Sequence, residues 1–355
     1  MSRACALGVR TPALDAQWRA FLREANPWAL ILFGEACDSP AQVRRLTADL
    51  RDALGRDAVI WIDQEGGRVA RLRPPHWPEF PPAAFFGAMY RQDPVAAREA
   101  ARLCHQAIGH ELKSIGVDGD FAPVLDAPAP GADPIIGDRA FSDDPAVIAA
   151  LAAEALAGLH AAGVAGCVKH IPGHGRADAD SHLALPVVRA SREELERDFA
   201  PFRALAGAEA AMTAHVVYTA LDPERCATLS PEVIRLIRED FGFRGLLMSD
   251  DLDMHALALA PAGARVGANV AAGAAPWLLS ARAEAAFDAG CDLVLQCNGV
   301  LADMAETIEG CPELGGAALA RAEAVEAIAK RADVWDQAWA LARIERLRAG
   351  WDAGV

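Results

Sequence analysis

The residues best equipped for chemistry lie between Lys169 and His182. Lys169-His170-Ile171-Pro172-Gly173-His174-Gly175 is followed shortly by Asp180-Ser181-His182, so three of the nine histidines, a lysine and two aspartates fall within fourteen residues. Burying such groups is costly, and a core segment would not collect them. They follow the apolar run 164–168, which reads as a strand that ends at a reaction centre and passes into a loop. Asp180 and His182 stand two apart, so in extended backbone they share a side. The carboxylate can then hold one imidazole nitrogen and leave the other for proton transfer. With Gly173 and Gly175 as hinges, the pair is a candidate mobile acid/base. Taken alone it is equally a solvated turn.

Two other clusters carry carboxylates after apolar runs. In Asp63-Gln64-Glu65-Gly66-Gly67-Arg68-Val69-Ala70-Arg71 the glycine pair permits a tight turn or close ligand approach. Asp63 can accept hydrogen bonds from two sugar hydroxyls while an arginine donates from the side; the plain alternative is a structural ion-pair turn. In Met248-Ser249-Asp250-Asp251-Leu252 the two acids face opposite ways on a strand. One is reactive, and the other satisfies backbone or neighbouring polar groups. A metal held by His170, His174 and His182 is set aside, because Pro172 and Gly173 break any helix there and no known ligand spacing surrounds them.

These clusters need a scaffold that brings them together. Eight β-like runs, at 4–9, 29–33, 58–63, 120–125, 163–170, 210–217, 245–250 and 291–297, alternate with helical stretches. The helices have readable starts: Ser39-Pro40 with Gln42, Asp143-Asp144-Pro145, Ser191 with Glu194, and Ser230-Pro231. Alternation implies parallel strands, since each return needs a crossover. No Gly-x-Gly-x-x-Gly follows the first run, which disfavours a dinucleotide-binding open sheet. The count favours an α/β fold, a (β/α)8 TIM barrel forming a single domain over 1–355, with terminal helices at about 317–349. Six of the eight runs end on polar or ionisable residues, the edge at which such barrels place their chemistry.

Composition narrows the class. The chain has 355 residues, 53% of them hydrophobic and 23% charged, and a formal net charge of −15. That excludes a disordered chain and argues against nucleic acid or an anionic membrane as partner. Eight cysteines without a CxxC pair read as buried thiols. The N-terminus is too interrupted for a signal peptide and no long apolar run occurs, so the expectation is a cytoplasmic monomer.

Together, Ile62 to Val69, Gly137-Asp138-Arg139-Ala140-Phe141, Lys169 to Gly175, Asp180-Ser181-His182 and Ser249 to Leu252 resemble glycoside hydrolase family 3, in its single-domain β-N-acetylhexosaminidase branch. The likeness runs over about 5–300, with the motifs in family order. It implies an exo-enzyme that removes terminal β-linked N-acetylglucosamine from muropeptides during cytoplasmic peptidoglycan recycling, without a cofactor or metal. It further implies Asp250 as nucleophile, His182 as general acid/base with Asp180 as its partner, and Asp63, Arg71, Arg139, Lys169 and His170 as sugar contacts. The chain departs from relatives in Ala140, in Asp253-Met254-His255-Ala256 and in a long loop at 260–276. A β-glucosidase of the same family and a catalytically silent amino-sugar-binding protein are the competing readings, and spacing does not separate hydrolysis from phosphorolysis.

Overall fold

Every expected β-run supplies a strand to one parallel sheet. In the computed structural model, which describes residues 1–181, 185–258, 277–330 and 342–346, these are β1 Arg3–Val9, β2 Pro27–Leu32, β3 Val59–Ile62, β4 Gly119–Asp120, β5 in two pieces (Ala165–Gly166 and Val168–Ile171), β6 Ala210–Thr213, β7 Leu246–Asp251 and β8 Leu293–Gln296. Neighbours pair in chain order, and β8 returns to β1. β4 meets β5 through Gly119–Ala165 and Asp120–Gly166, and the isolated bridge Val124–Lys169 extends that seam. The ring is therefore closed, giving the (β/α)8 barrel that the alternation predicts.

Three strands differ from their sequence runs. The run 120–125 gives only a short ladder, because Pro123 has no N–H to donate. Cys167 splits β5, its N–H lying 3.0 Å from the Asp120 carbonyl and 2.9 Å from that of Ala122. The run 210–217 leaves the barrel at Thr213, and Val217–Tyr218 pairs with Val187–Val188 at the side.

The helices begin where capping residues place them. Ser39 caps Pro40–Leu54, Asp144 caps Pro145–Ala161 and Ser230 caps Pro231–Arg235, while Ser191 and Glu194 close a full capping box on Arg192–Ala204. Gln42 departs from expectation: its side chain accepts from the Asp38 N–H (3.0 Å) and not from Ser39. Each cap contributes about 0.5–2 kcal/mol and fixes where a strand-to-helix loop must end.

Inside the ring, alternate residues pack together: Ala29 and Ile31, Val59 and Trp61, Ala210 and Met212, Leu246 and Met248, Leu293 and Leu295. The residues between them, such as Leu30, Ile60, Ala211, Leu247 and Val294, pack outward against the helices. Trp61 stacks on Phe121 at 5.0 Å, and a Cβ on Gly119 would lie 2.3 Å from the indole, so that ring demands a glycine beside it. Helix Gly316–Ala329 closes the N-terminal end of the barrel with Ala322 and Val325, and Glu326 accepts from Trp28 Nε1 at 2.9 Å. Residues 342–346 are helical too; the rest of the stretch expected as terminal helices, and the loop 260–276, lie outside the described residues. No described helix is long and apolar enough to cross a membrane.

Candidate active site

The two-residue period of the barrel interior decides which strand-end groups face one another. Continued from Val59 and Trp61 it reaches Asp63, and from Ala165 and Cys167 it reaches Lys169; on β7 the pairing with β8 slips between Met248 and Asp251, and Asp250 reaches the same space across that irregularity. All three line a cavity of about 1110 Å³ at the C-terminal ends of the strands, and Arg71, Arg139 and His170 line it as well. Six of the eight expected site residues therefore share one space. Asp180 is half-buried just before Ser181, which does line the cavity. His182 lies outside the described residues.

On the β3–β5 side the charges are fully claimed. Lys169 Nζ donates to Asp63 Oδ1 at 3.0 Å and lies 2.7 Å from Glu65 Oε1. Arg71 donates to Asp63 Oδ2 at 3.0 Å, and Arg139 grips Glu65 with two bonds of 2.9 and 2.8 Å. Burial alone would raise both acids, but Lys169 with Arg71 holds Asp63 below the ordinary aspartate range, and Lys169 with Arg139 lowers Glu65. Burial would likewise strip the proton from Lys169, and the two carboxylates override it. The result is a rigid rack of charged donors and acceptors, ionised on both sides. Gln64, between the two acids, fixes the hairpin by accepting from the Arg71 and Leu72 N–H groups at 2.9 Å each.

Lys169 and His170 are consecutive and yet both line the cavity. The pairing of β5 with β6 slips there, from Lys169 opposite Met212 to Ile171 opposite Thr213, which leaves His170 as the extra residue of a bulge. The peptide between the two residues is cis. His170 Nδ1 lies 2.7 Å from Asp126 Oδ2, while Asp126 Oδ1 accepts from the His170 and His174 N–H groups at 3.2 and 2.6 Å. Asp126 is buried, but His170 and these bonds keep its carboxyl below the ordinary range. His174 sits beside them with Ser181 Oγ 3.4 Å from its Nε2; burial, reinforced by His170, pushes its imidazole down to about 4. The expected hinge glycines are buried contact points. Gly173 has φ +136° and its carbonyl accepts from Tyr218 (2.7 Å), and a Cβ on Gly175 would lie 2.0 Å from the Ala127 carbonyl oxygen.

On the β7 side both acids line the cavity, contrary to the opposite facing expected of a regular strand, because the register slips between Met248 and Asp251; their hydrogen bonds still differ. Asp251 is the backbone-satisfying member: its Oδ1 accepts from Asp253 N (3.1 Å) and Cys297 N (3.0 Å), which ties β7 to β8. Burial, with Asp250 alongside, pushes its carboxyl up to about 7. Asp250 receives the Asp251 N–H on Oδ1 at 2.8 Å, which aims the carboxylate, and it lines the cavity. Among the described residues, no three His, Cys, Asp or Glu side chains converge as a metal cage would require.

Sequence reasoning passed over Glu65, Asp126 and His174 as site residues. Glu65 and His174 lie inside the quoted motifs, and Asp126 directly follows the run 120–125. What was invisible is the partner: Arg139 stands 74 residues from Glu65, and His170 stands 44 from Asp126. Arg10 and Arg73, which also line the cavity, were not singled out.

Comparison with known proteins agrees with this geometry. Residues 7–329 match the glycosyl hydrolase family 3 N-terminal domain. A β-hexosaminidase of Stenotrophomonas maltophilia strain K279a is 37% identical over 95% of this chain and 94% of its own length. One from Xanthomonas axonopodis pv. citri is 37% identical over 93% and 92%. Among solved structures, NagZ from Neisseria gonorrhoeae in complex with N-trifluoroacetyl-D-glucosamine superposes with a TM-score of 0.81 at 30% identity, covering 98% of both chains. A family 3 β-N-acetylglucosaminidase from Paenibacillus sp. str. FPU-7 gives 0.82 at 30% identity, over 97% of this chain and 66% of that one. The chain is thus a glycoside hydrolase and belongs to family 3, in the β-N-acetylhexosaminidase branch of the NagZ type.

Proposed function

We propose that the protein is a retaining exo-β-N-acetylglucosaminidase, which releases terminal β-linked N-acetylglucosamine from muropeptides such as GlcNAc-anhydro-MurNAc. In this reading it works as a cytoplasmic monomer in cell-wall recycling and needs no cofactor. The observation that carries the proposal is the shared cavity: Asp250 faces the same space as Asp63, Arg71, Arg139, Lys169 and His170. The rack on the β3–β5 side offers charged donors and acceptors to sugar hydroxyls, and Asp250 waits opposite as an aimed carboxylate. The relatives' names supply the amino sugar.

The chemistry follows double displacement. Asp250 attacks the anomeric carbon while His182 protonates the departing oxygen, and a covalent glycosyl-aspartate forms. His182 then deprotonates water, which opens the ester with net retention. Asp180 orients the imidazole. The other histidines of the motif are poorly placed for that duty. His170 is tied to Asp126, and burial keeps His174 neutral near pH 7, a far weaker acid than an imidazolium. Imidazole, with a reference pKa of about 6.5, suits a group that must give and take a proton near neutrality.

Matched aryl β-N-acetylglucosaminide and β-glucoside substrates, with the product anomer followed by NMR, test the assignment. The expected result is turnover of the amino sugar with the β-anomer formed first. Preference for the glucoside, α-anomer first, or binding without turnover would each replace this reading with another. His182→Ala should slow natural disaccharides by roughly 10²–10⁴-fold, while an aryl glycoside with a good leaving group keeps most of its first step. Equal loss on both substrates would remove His182 from the acid role.

A further inference from the structure

At about 1110 Å³ the cavity is larger than one hexosamine requires, since roughly 300–1,000 Å³ houses a drug-sized ligand. Its lip is lined by Arg10, Arg68, Arg71 and Arg73, against Glu35 and Asp38. Most of these arginines are committed to carboxylates: Arg10 to Glu35 (2.7 Å), Arg68 to Asp138 (2.9 Å) and Arg71 to Asp63 (3.0 Å).

Arg73 is different. It is exposed, and among the described residues its guanidinium is bonded only to backbone carbonyls, Nε to Ala70 O at 3.0 Å and Nη2 to Arg68 O at 2.8 Å. These two bonds use one edge of the planar fork and hold it in place. The end-on edge, with the Nη1 protons and the second Nη2 proton, remains open. Pro74 and Pro75 follow directly and restrict the backbone of the lip. A guanidinium that is oriented and not neutralised matches the paired oxygens of a carboxylate or phosphate.

We propose that Arg73 is a specificity-determining residue that reads an anionic group on the leaving side of the scissile bond, a carboxylate on the sugar or peptide being cut away. The inference rests on the proposed hydrolase reading and deepens it. The non-reducing sugar sits on the Asp63–Lys169–Arg139 side of the cavity, and the remainder runs out to the lip, where the aglycone's charge meets Arg73. Salt should screen that exposed charge–charge contact.

The test compares GlcNAc-anhydro-MurNAc carrying its free lactyl carboxylate with its methyl ester, on wild type, Arg73→Gln and Arg73→Lys. Wild type should favour the acid in kcat/KM by on the order of 10-fold, mostly through KM and less so at high salt. Arg73→Gln should erase that preference while leaving the ester and a neutral aryl N-acetylglucosaminide unchanged; Arg73→Lys should restore part of it. If Arg73→Gln depresses acid, ester and aryl substrate alike, the residue is only a brace for the hairpin and the proposal fails. A wild type that cleaves acid and ester equally well also overturns it, with the hydrolase reading intact. Failure of wild type to cleave even the aryl N-acetylglucosaminide would overturn the hydrolase reading and this inference together.

Discussion

The two sides of the cavity treat charge in opposite ways. On the β3–β5 side, Asp63, Glu65, Lys169, Arg71 and Arg139 saturate one another, and each is held ionised by a partner within about 3 Å. On the β7 side, two neighbouring acids share one short segment and accept from backbone N–H groups, Asp250 from that of Asp251 at 2.8 Å. Asp251 spends its oxygen on backbone N–H groups, and its carboxyl rises to about 7. The saturated side cannot easily move or change protonation, which suits a surface that must hold a sugar in one pose. In the proposed reading the other side presents a carboxylate, aimed by a backbone N–H, to the positive charge that develops at an anomeric carbon.

That contrast is broken most directly at β7. Asp250→Asn should reduce turnover by on the order of 10⁴–10⁶-fold, with thermal stability close to wild type. Asp251→Asn retains an oxygen to accept the Asp253 and Cys297 N–H groups, so it should keep most activity. Steady-state kinetics on one aryl N-acetylglucosaminide, beside melting curves, checks both. If the two variants lose activity equally, the division of labour between the acids is wrong.

On the saturated side the expected damage is to stability first. The Glu65 and Arg139 side chains are 7% and 11% exposed. Glu65→Gln leaves a buried arginine without its carboxylate, which should cost roughly 3–5 kcal/mol. Denaturant unfolding measures it, and Glu65→Gln/Arg139→Gln should recover part of the loss because no orphaned charge remains. A cost below about 1 kcal/mol, the range of exposed pairs, would mean that the rack is solvated and not rigid.

The barrel was legible because its signals are local. Apolar β-like runs, capping residues and strand-end polarity each concern a few adjacent residues, and all eight strands followed from them. The boundaries slipped where a partner strand decides the ladder, at Pro123, Cys167 and Thr213. Site membership was legible for the same reason, since Asp63, Lys169 and Asp250 each stand at the polar end of an apolar run. The pairing inside the site was not. Nothing in the residues around Glu65 announces that Arg139 will close on it, because that contact depends on two separate loops meeting over the barrel mouth.

Asp120 shows how a group behind the saturated side could sharpen the comparison. It is fully buried; its Oδ1 accepts the Gln64 N–H at 2.9 Å, and its Oδ2 has no hydrogen-bond partner among the described residues. Burial, with Asp63 and Glu65 nearby and only partly offset by that bond and by Lys169, pushes its carboxyl up to about 8. Below about pH 4 it is protonated in both the folded and the unfolded chain. Between about 4 and 8 the unfolded chain ionises it and the fold does not, so the folded state binds more protons and stability falls as pH rises. Above about 8 the penalty is complete. Asp120→Asn keeps the acceptor for Gln64 and removes the titration. The variant's melting temperature should therefore gain on wild type progressively from pH 5 to pH 8.5, by a few degrees at most, with little change at pH 4. A constant offset across that range would show that Asp120 ionises freely, and that the backbone between Asp63 and Glu65 is held by a charge after all.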